Sequence, residues 1–512
     1  MSKKKVIIIG AGISGLSCGI YCLDNDFDVE IYEKHTMPGG ECTGWYRDGV
    51  YIDGCAHWIV GTNPNSDFYP LWYHIGAINE ETKIHEAEYF VQFARNNELY
   101  TIYADLDKLY DEILRISPED KKFAKELIKR IEDYQHVRVP MSKPLDLMNP
   151  IEFAKFGLNM LPMLYSYLYS RKESMEDFAS KAKSPLLKEM FSEVMKPNTY
   201  NSHSFFYTMH ALSKEDAGVC EGGSLKIALR VADKYEKEGG KLFLNTPVKN
   251  VVIENNVAKG IVLENGEKKY ADYVVSSCDI NFTFEKLIGN QYRTKHFKEM
   301  FKKKKDYPLN SCIYLSFEIP FVGENVPKTL NVKIDPIKLG NDYVESLVLR
   351  SHAFDLTLNK DRSTITSMVY CNYDLYDYLK NLPKEEYLKF KEEFGENVRK
   401  QIVEHTSLKD DEIKLIDVAT PLTYERYTNA YKGSYMSFIT TKRSKWLLQK
   451  NILKGLKNFV LAGQWLMPPG GLPIAILTGK HAAYRICHLD HKKFINKEEK
   501  KAKFYLKKMS KR

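Results

Sequence analysis

Apolar residues fall in runs along this chain, and the period of each run points to an element. Lys5 to Ile9, KVIII, is a β-branched run suited to a strand buried on both faces. LSCGIYCL, from Leu16 to Leu23, has helical spacing, and VEIYEK at 29–34 reads as the next strand. An apolar-periodic helix is expected after Gly222-Gly223-Ser224, with Ser224 as its N-cap. Short alternating strands follow Gly239-Gly240, and Asn265-Gly266 marks a hairpin turn. NSCIYLSFEIPF at 310–321 reads as strand. Phe459 to Ala462 is expected to be a strand ending at Gly463, after which Pro468 to Pro473 turns the chain into a helix, IAILTGKHAAYRI. The charge-free segment FGLNMLPMLYSYLYS at 156–170 is too short and too polar to span a bilayer. Pro162 is expected to break or kink a helix there, which leaves a monotopic surface or a buried lid helix.

At 512 residues the chain exceeds one simple core and predicts two or three domains. With 44% hydrophobic and 28% charged residues it is globular rather than disordered. Aromatics reach 12%, with 34 Tyr and 25 Phe, enough to suggest a large apolar cavity or lipid contact besides core rings. The formal charge of +8 changes meaning once it is located. His491 to Arg512 holds ten Lys/Arg and two Glu, leaving 65 charges of each sign elsewhere. That argues against a basic globular surface for nucleic acid. The tail at 491–512 interleaves Phe494, Ile495, Phe504, Tyr505 and Leu506 with lysines, and reads either as a solvated helical end or as an attachment to an anionic membrane surface. Nine scattered cysteines without paired spacing suit reduced thiols. MSKKKVIIIG has too short an apolar run for a signal peptide, so the expected location is cytoplasmic, with the inner membrane surface as a peripheral site.

The first strand leads straight into Gly10-Ala-Gly12-Ile-Ser-Gly15 and a helix. Gly10 permits the tight turn, Gly12 lets backbone approach a pyrophosphate, and Gly15 lets helix pack close to strand. The helix start supplies free N–H groups and positive dipole to phosphates. Glu33, 23 residues after Gly10, is placed to accept from ribose hydroxyls and argues against a 2′-phosphate there. The fingerprint defines a dinucleotide site without separating NAD from FAD.

Three blocks make that separation: the fingerprint with PGGECTGWYRDGVYIDGCAHW at 38–58, EGGSLKIALRVADKYEKEGG…VVSSCD at 221–279, and FVLAGQWLMPPGGLPIAILTGKHAAYRI at 459–486. Through them the chain resembles the phytoene desaturase-like flavoproteins, a family that includes carotenoid isomerases and retinol saturases. The resemblance implies FAD, held by Gly10, Gly12, Ser14, Gly15, Glu33, Lys34, Gly39, Gly40, Thr43, Val248, Gly463, Gln464, Gly471 and Leu472. It implies that Val248 packs against the adenine or pairs with it through its backbone, a simple edge-strand valine being the alternative, and that the region after Gly463 lies along the ribityl chain and ring. Small residues at that turn admit a planar ring, and the new helix start favours negative charge. Two departures stand out. Gln464 occupies a position where relatives often have Asp, and Glu41 one where many have a basic residue. No second GxGxxG in strand–helix context is visible, so no separate NAD(P) domain is expected.

Cys42, Cys55 and His57 could be read as metal ligands, but a fourth ligand is missing and the expectation is no metal. The two cysteines could form a redox pair, although their spacing suits inert packing better. The resemblance places His57 near the flavin ring, where it is either a proton donor or positioning group or a packed histidine. Trp58 and Trp465 could line the substrate face or pack in the core. Lys302 to Lys305 reads as a solvated loop or a headgroup contact.

The expected fold is α/β: a Rossmann-type FAD-binding domain, a doubly wound parallel sheet, with an inserted α+β substrate domain. Its FAD blocks are residues 1–84, 215–289 and 451–490, its substrate insertions 85–214 and 290–450, and a basic tail follows at 491–512. The expected activity, by resemblance, is desaturation, saturation or isomerisation of a hydrophobic unsaturated molecule (carotenoid, retinoid, other isoprenoid or fatty chain) by hydride exchange at flavin N5. An amine oxidase and a non-catalytic membrane-associated flavoprotein remain as alternatives.

Overall fold

The computed structural model describes residues 3–498 apart from 56, 138, 197–199, 324–326 and 446–448 and the side chain of 165. The chain opens as its pattern predicts, with strand Lys5–Ile9, helix Ile13–Asp24 and strand Asp28–Tyr32. Val6 and Ile8 enter one core and Ile7 and Ile9 the other, so the unbroken apolar run reflects burial on both faces. Five parallel strands follow in the order Lys241–Phe243, Asp28–Tyr32, Lys5–Ile9, Tyr273–Ser276, Leu456–Leu461. The order runs outward in both directions from the first strand, as in doubly wound sheets. Helices Ile13–Asp24, Gly223–Lys237 and Leu472–Leu489 contribute to one core. On the far edge Val257–Leu263 pairs antiparallel with Val248–Glu254 and Lys268–Tyr270, and Gly266 takes the left-handed turn position (φ 87°).

A second sheet has seven strands, in the order Lys414–Ala419, Ser311–Ile319, Ser363–Cys371, Asp342–Ser351, Thr329–Leu339, Tyr89–Arg95, Glu98–Tyr103. Its strands come from both sequence insertions and meet where Thr329–Leu339 runs parallel to Tyr89–Arg95. Strand alternation gives the sheet two different faces. Leu347, Leu349, Ile365 and Val369 enter a core shared with helices Tyr373–Asn381 and Lys384–His405. Val348, Arg350, Met368 and Tyr370 face a cavity instead.

Two local expectations fail for physical reasons. Ser224 is not an N-cap: Gly222 (φ 84°) holds that position, and Ser224 is buried inside the helix. Its N–H and hydroxyl donate to the Asp53 carboxylate at 2.6 and 2.7 Å, so an acceptor distant in sequence takes the capping role. Pro162 does not break its helix, which runs unbroken over Pro150–Ser170 from a capping box of Asn149 and Glu152. The proline lies on the exposed side, where water can satisfy the carbonyl one turn back. At the other terminus, Phe494 packs against Tyr484 (4.9 Å) and Tyr21 (6.2 Å), turned inward rather than outward. Phe504, Tyr505 and Leu506 lie outside the described residues.

Candidate functional site

One cavity of about 1520 Å³ is lined by both the glycine turns of the parallel sheet and the inner face of the seven-stranded sheet. Its first half is built from chain turns that only small residues allow. Gly10 is left-handed (φ 98°), and a Cβ on Gly15 would sit 2.1 Å from the Gly10 carbonyl oxygen, which fixes how closely the first helix meets the first strand. Gly15 therefore shapes the site from behind and does not line the cavity. The Gly39 N–H donates to the Ala11 carbonyl (2.8 Å), which brings the Gly39-Gly40 turn beside the first glycine loop.

The residues present fit a dinucleotide. A Cβ on Gly12 would meet nothing closer than 4.0 Å and one on Gly471 nothing closer than 3.9 Å, so each backbone faces open cavity that a ligand can occupy. Two helices begin there, Ile13–Asp24 after Gly12 and Leu472–Leu489 after Gly471, and the first turn of neither contains an acid. Glu33 is buried, and its two oxygens accept the Ala11 and His35 N–H groups at 2.8 Å each. Each oxygen keeps a lone pair for a further donor. Ser14, Thr43, Val248, Gly463, Gln464 and Leu472 also line the cavity. Lys34 lines it too, but its ammonium is tied to the Arg426 carbonyl (2.8 Å) and the Asn429 side chain (2.6 Å). It serves as a strut across the cavity wall.

The two departures noted in the sequence meet in space. Gln464 Nε2 donates to Glu41 Oε2 at 3.0 Å, while Gln464 Oε1 accepts the Gly471 N–H at 3.1 Å. Burial pushes the Glu41 carboxyl up to about 8, with nearby Asp279 adding to the effect. Burial likewise raises Asp279 to about 6, against the hydrogen bonds it accepts from Phe282 and Tyr431 N–H. Neither effect was visible in the sequence, because each arises from burial that only the fold creates.

The far half is apolar, with Phe90, Met160, Met163 and Leu212 among its walls, and it holds a polar cluster. Burial pushes His57 well below its usual range, helped by the charge of Arg350 and by His352, so its imidazole is neutral. His57 Nε2 and His352 Nδ1 are buried without a hydrogen-bond partner among the described residues. Arg350 is also depressed by burial, and Tyr370, Tyr314 and Tyr435 are the groups that offset this. Trp58 stacks edge-on to Phe90 (5.4 Å) and Trp465 edge-on to Phe438 (5.3 Å), so each packs in a core while bordering the cavity. Cys42 and Cys55 are free thiols. Among the described residues, the three-ligand clusters are His85–Glu221–Asp355 and Asp335–Glu404–His405, neither of which includes Cys42, Cys55 or His57.

Residues 13–487 match the family described as flavin containing amine oxidoreductase. The chain belongs to this family and is an FAD-dependent oxidoreductase. Among curated proteins it is similar to a lycopene-forming phytoene desaturase of a Paracoccus species, 23% identical over 94% of this chain and 97% of that protein. It is 22% identical to a 4,4'-diaponeurosporene oxygenase of Staphylococcus aureus, over 94% of this chain and 98% of that one. A 4,4'-diapolycopene-forming diapophytoene desaturase of a Methylomonas species is also 22% identical, with 92% and 93% covered. Among solved structures, an oxidoreductase of Methanosarcina mazei superposes with TM-score 0.57 at 13% identity, covering 94% of this chain and 100% of that one. Putrescine oxidase bound to putrescine gives 0.58 at 13%, covering 95% and 99%. At such identity these structures share the fold alone.

Proposed function

We propose that the protein adds or removes hydrogen across C–C or C=C bonds of a long, unsaturated, hydrophobic molecule of the carotenoid or related isoprenoid class. The observation behind this reading is a continuous cavity that joins the dinucleotide turns to an apolar chamber. The names of the curated relatives support it. When bound, FAD supplies hydride acceptance and donation at its ring. The contribution of the chain is to orient and to exclude water. The helix start at Gly471 offers N–H groups to negative charge, the apolar walls hold the substrate, and neutral His57 can give or take one hydrogen bond at Nε2. An amine substrate fits less well, since a protonated amine would enter a chamber holding the Arg350 cation. The test is anaerobic incubation of the FAD-loaded protein with phytoene, lycopene and putrescine, following flavin absorbance and product mass. Polyenes should change the flavin spectrum and shift by two hydrogens. Bleaching by the amine with no response to any polyene would overturn the reading.

The same reading includes contact with a lipid surface. Helix Pro150–Ser170 turns Ile151, Phe153, Leu158, Leu161, Leu164 and Leu168 to the outside, with exposures from 44% to 81%. On its other side Phe156, Met160, Met163 and Tyr167 line the cavity. No described helix is long and apolar enough to cross a membrane, so this one would lie in the interface. Flotation with lipid vesicles should capture the protein, and Leu161→Glu with Leu158→Glu should release it. Equal recovery of both forms would refute the contact.

A further inference from the structure

Arg350 sits near the end of strand Asp342–Ser351, held between Thr329 and Thr366 on the neighbouring strands. Alternation sends Leu347 and Leu349 into the core and Val348 and Arg350 into the cavity. Among the described residues its guanidinium forms no ion pair and no side-chain hydrogen bond, unlike the other arginines enclosed in this fold. Arg95 is paired to Glu189 (2.7 Å), Arg130 to Glu173 and Glu126 (2.6 Å each), and Arg293 to Asn281 (2.8 Å). Arg230 donates twice to the Ala77 carbonyl. An arginine stays charged, and an enclosed charge without a partner is costly. Its neighbours are further polar groups that lack partners or can donate: His57 Nε2, His352 Nδ1, and the hydroxyls of Tyr370 and Tyr435.

We propose that Arg350, with Tyr370 and Tyr435 beside it, binds an anionic group of the substrate, so that the preferred ligand is a long unsaturated chain bearing a carboxylate. This rests on the reading that the chamber takes a long apolar chain, and it narrows that class to its acidic members. The planar guanidinium fork matches a carboxylate in two parallel hydrogen bonds, and the tyrosine hydroxyls can complete its shell. Arg350 acts here as a specificity residue: it sets which chain is held and takes no part in moving hydride.

The experiment is a binding titration on the full-length, FAD-loaded protein, read by quenching of its tryptophan fluorescence. The probes are all-trans retinoic acid and its methyl ester, identical in chain and differing in charge. The acid should bind roughly 10- to 100-fold more tightly than the ester, the range expected when charge-assisted hydrogen bonds are lost. Arg350→Met should erase the difference, and Arg350→Lys should keep the charge but only part of the preference. Flavin absorbance checks that each variant remains loaded, and Tyr370→Phe gives a second, milder loss if Arg350→Met does not fold. Millimolar acetate should not displace the acid; displacement would reassign the group to small anions and overturn the proposal. Equal binding of acid and ester, or a preference that survives Arg350→Met, overturns this inference and leaves the apolar-chain reading intact. Binding of neither probe to loaded protein overturns both.

Discussion

The two halves of the cavity treat enclosed polar groups in opposite ways. On the dinucleotide side, Glu33 and Asp279 accept backbone N–H groups and Glu41 meets Gln464, so each acid has a partner before any ligand arrives. On the substrate side, Arg350, His57 Nε2 and His352 Nδ1 have none among the described residues. A site for a resident cofactor is pre-satisfied and rigid. A site for a passing molecule leaves its polar atoms to be completed by that molecule.

Breaking the cofactor half should have the largest effect. Gly15→Ala places a Cβ 2.1 Å from Gly10 O and 2.7 Å from Ser277 Oγ, contacts with no slack on the backbone side. The expected result is protein purified without flavin absorbance and destabilised by more than about 4 kcal/mol in chemical unfolding. Next, Glu33→Ala leaves the Ala11 and His35 N–H groups without their acceptor, at about 1–3 kcal/mol each. Flavin fluorescence should report weaker retention, and Glu33→Gln, which keeps one acceptor oxygen, should lose less.

The substrate half should respond with the opposite sign. Arg350→Met removes an unpaired enclosed charge and should raise the unfolding free energy by about 1–3 kcal/mol. A lower stability would mean that the guanidinium already has a partner, and the contrast between the halves would fall.

A titration tests the contrast through pH. Glu41 is raised in the folded protein from 4.5 to about 8. A carboxyl shifted upward contributes stability that is complete below the unfolded value and is lost as pH rises through the folded one. Thermal midpoints should therefore decline from about pH 4.5 to about pH 8, and Glu41→Gln should flatten that decline. An unchanged profile in the variant would assign the titration elsewhere.

The dinucleotide half was legible in the sequence because its chemistry is local. Gly10, Gly12 and Gly15 answer to steric limits within one turn, and the flanking runs announce their strand and helix. The sequence marked the insertions of the substrate half but not their pairing, because its sheet joins strands from 89–103 to strands from 311–419. Arg350 in VLRSH reads as one more polar position on an alternating strand; only the sheet shows which face is dry. Glu41 and Gln464 were visible as separate departures, yet their meaning lies in a hydrogen bond across 423 residues. Ser224 misled for the same reason, since Asp53 caps that helix from far upstream. His57 lines the cavity, but its neutrality comes from burial, with Arg350 and His352 adding to it, and no local pattern announces either.

Helix Pro150–Ser170, apolar toward the outside and toward the cavity alike, has a thermodynamic consequence. On the lipid-surface reading, a polyene entering beside it passes from one oily medium to another and releases no ordered water. The hydrophobic effect, which dominates most small-molecule binding, would then contribute almost nothing to capture. Every chain dissolved in the bilayer would compete on equal terms of solvation. Discrimination would fall to cavity shape and to whichever polar group can find a counter-charge at its end.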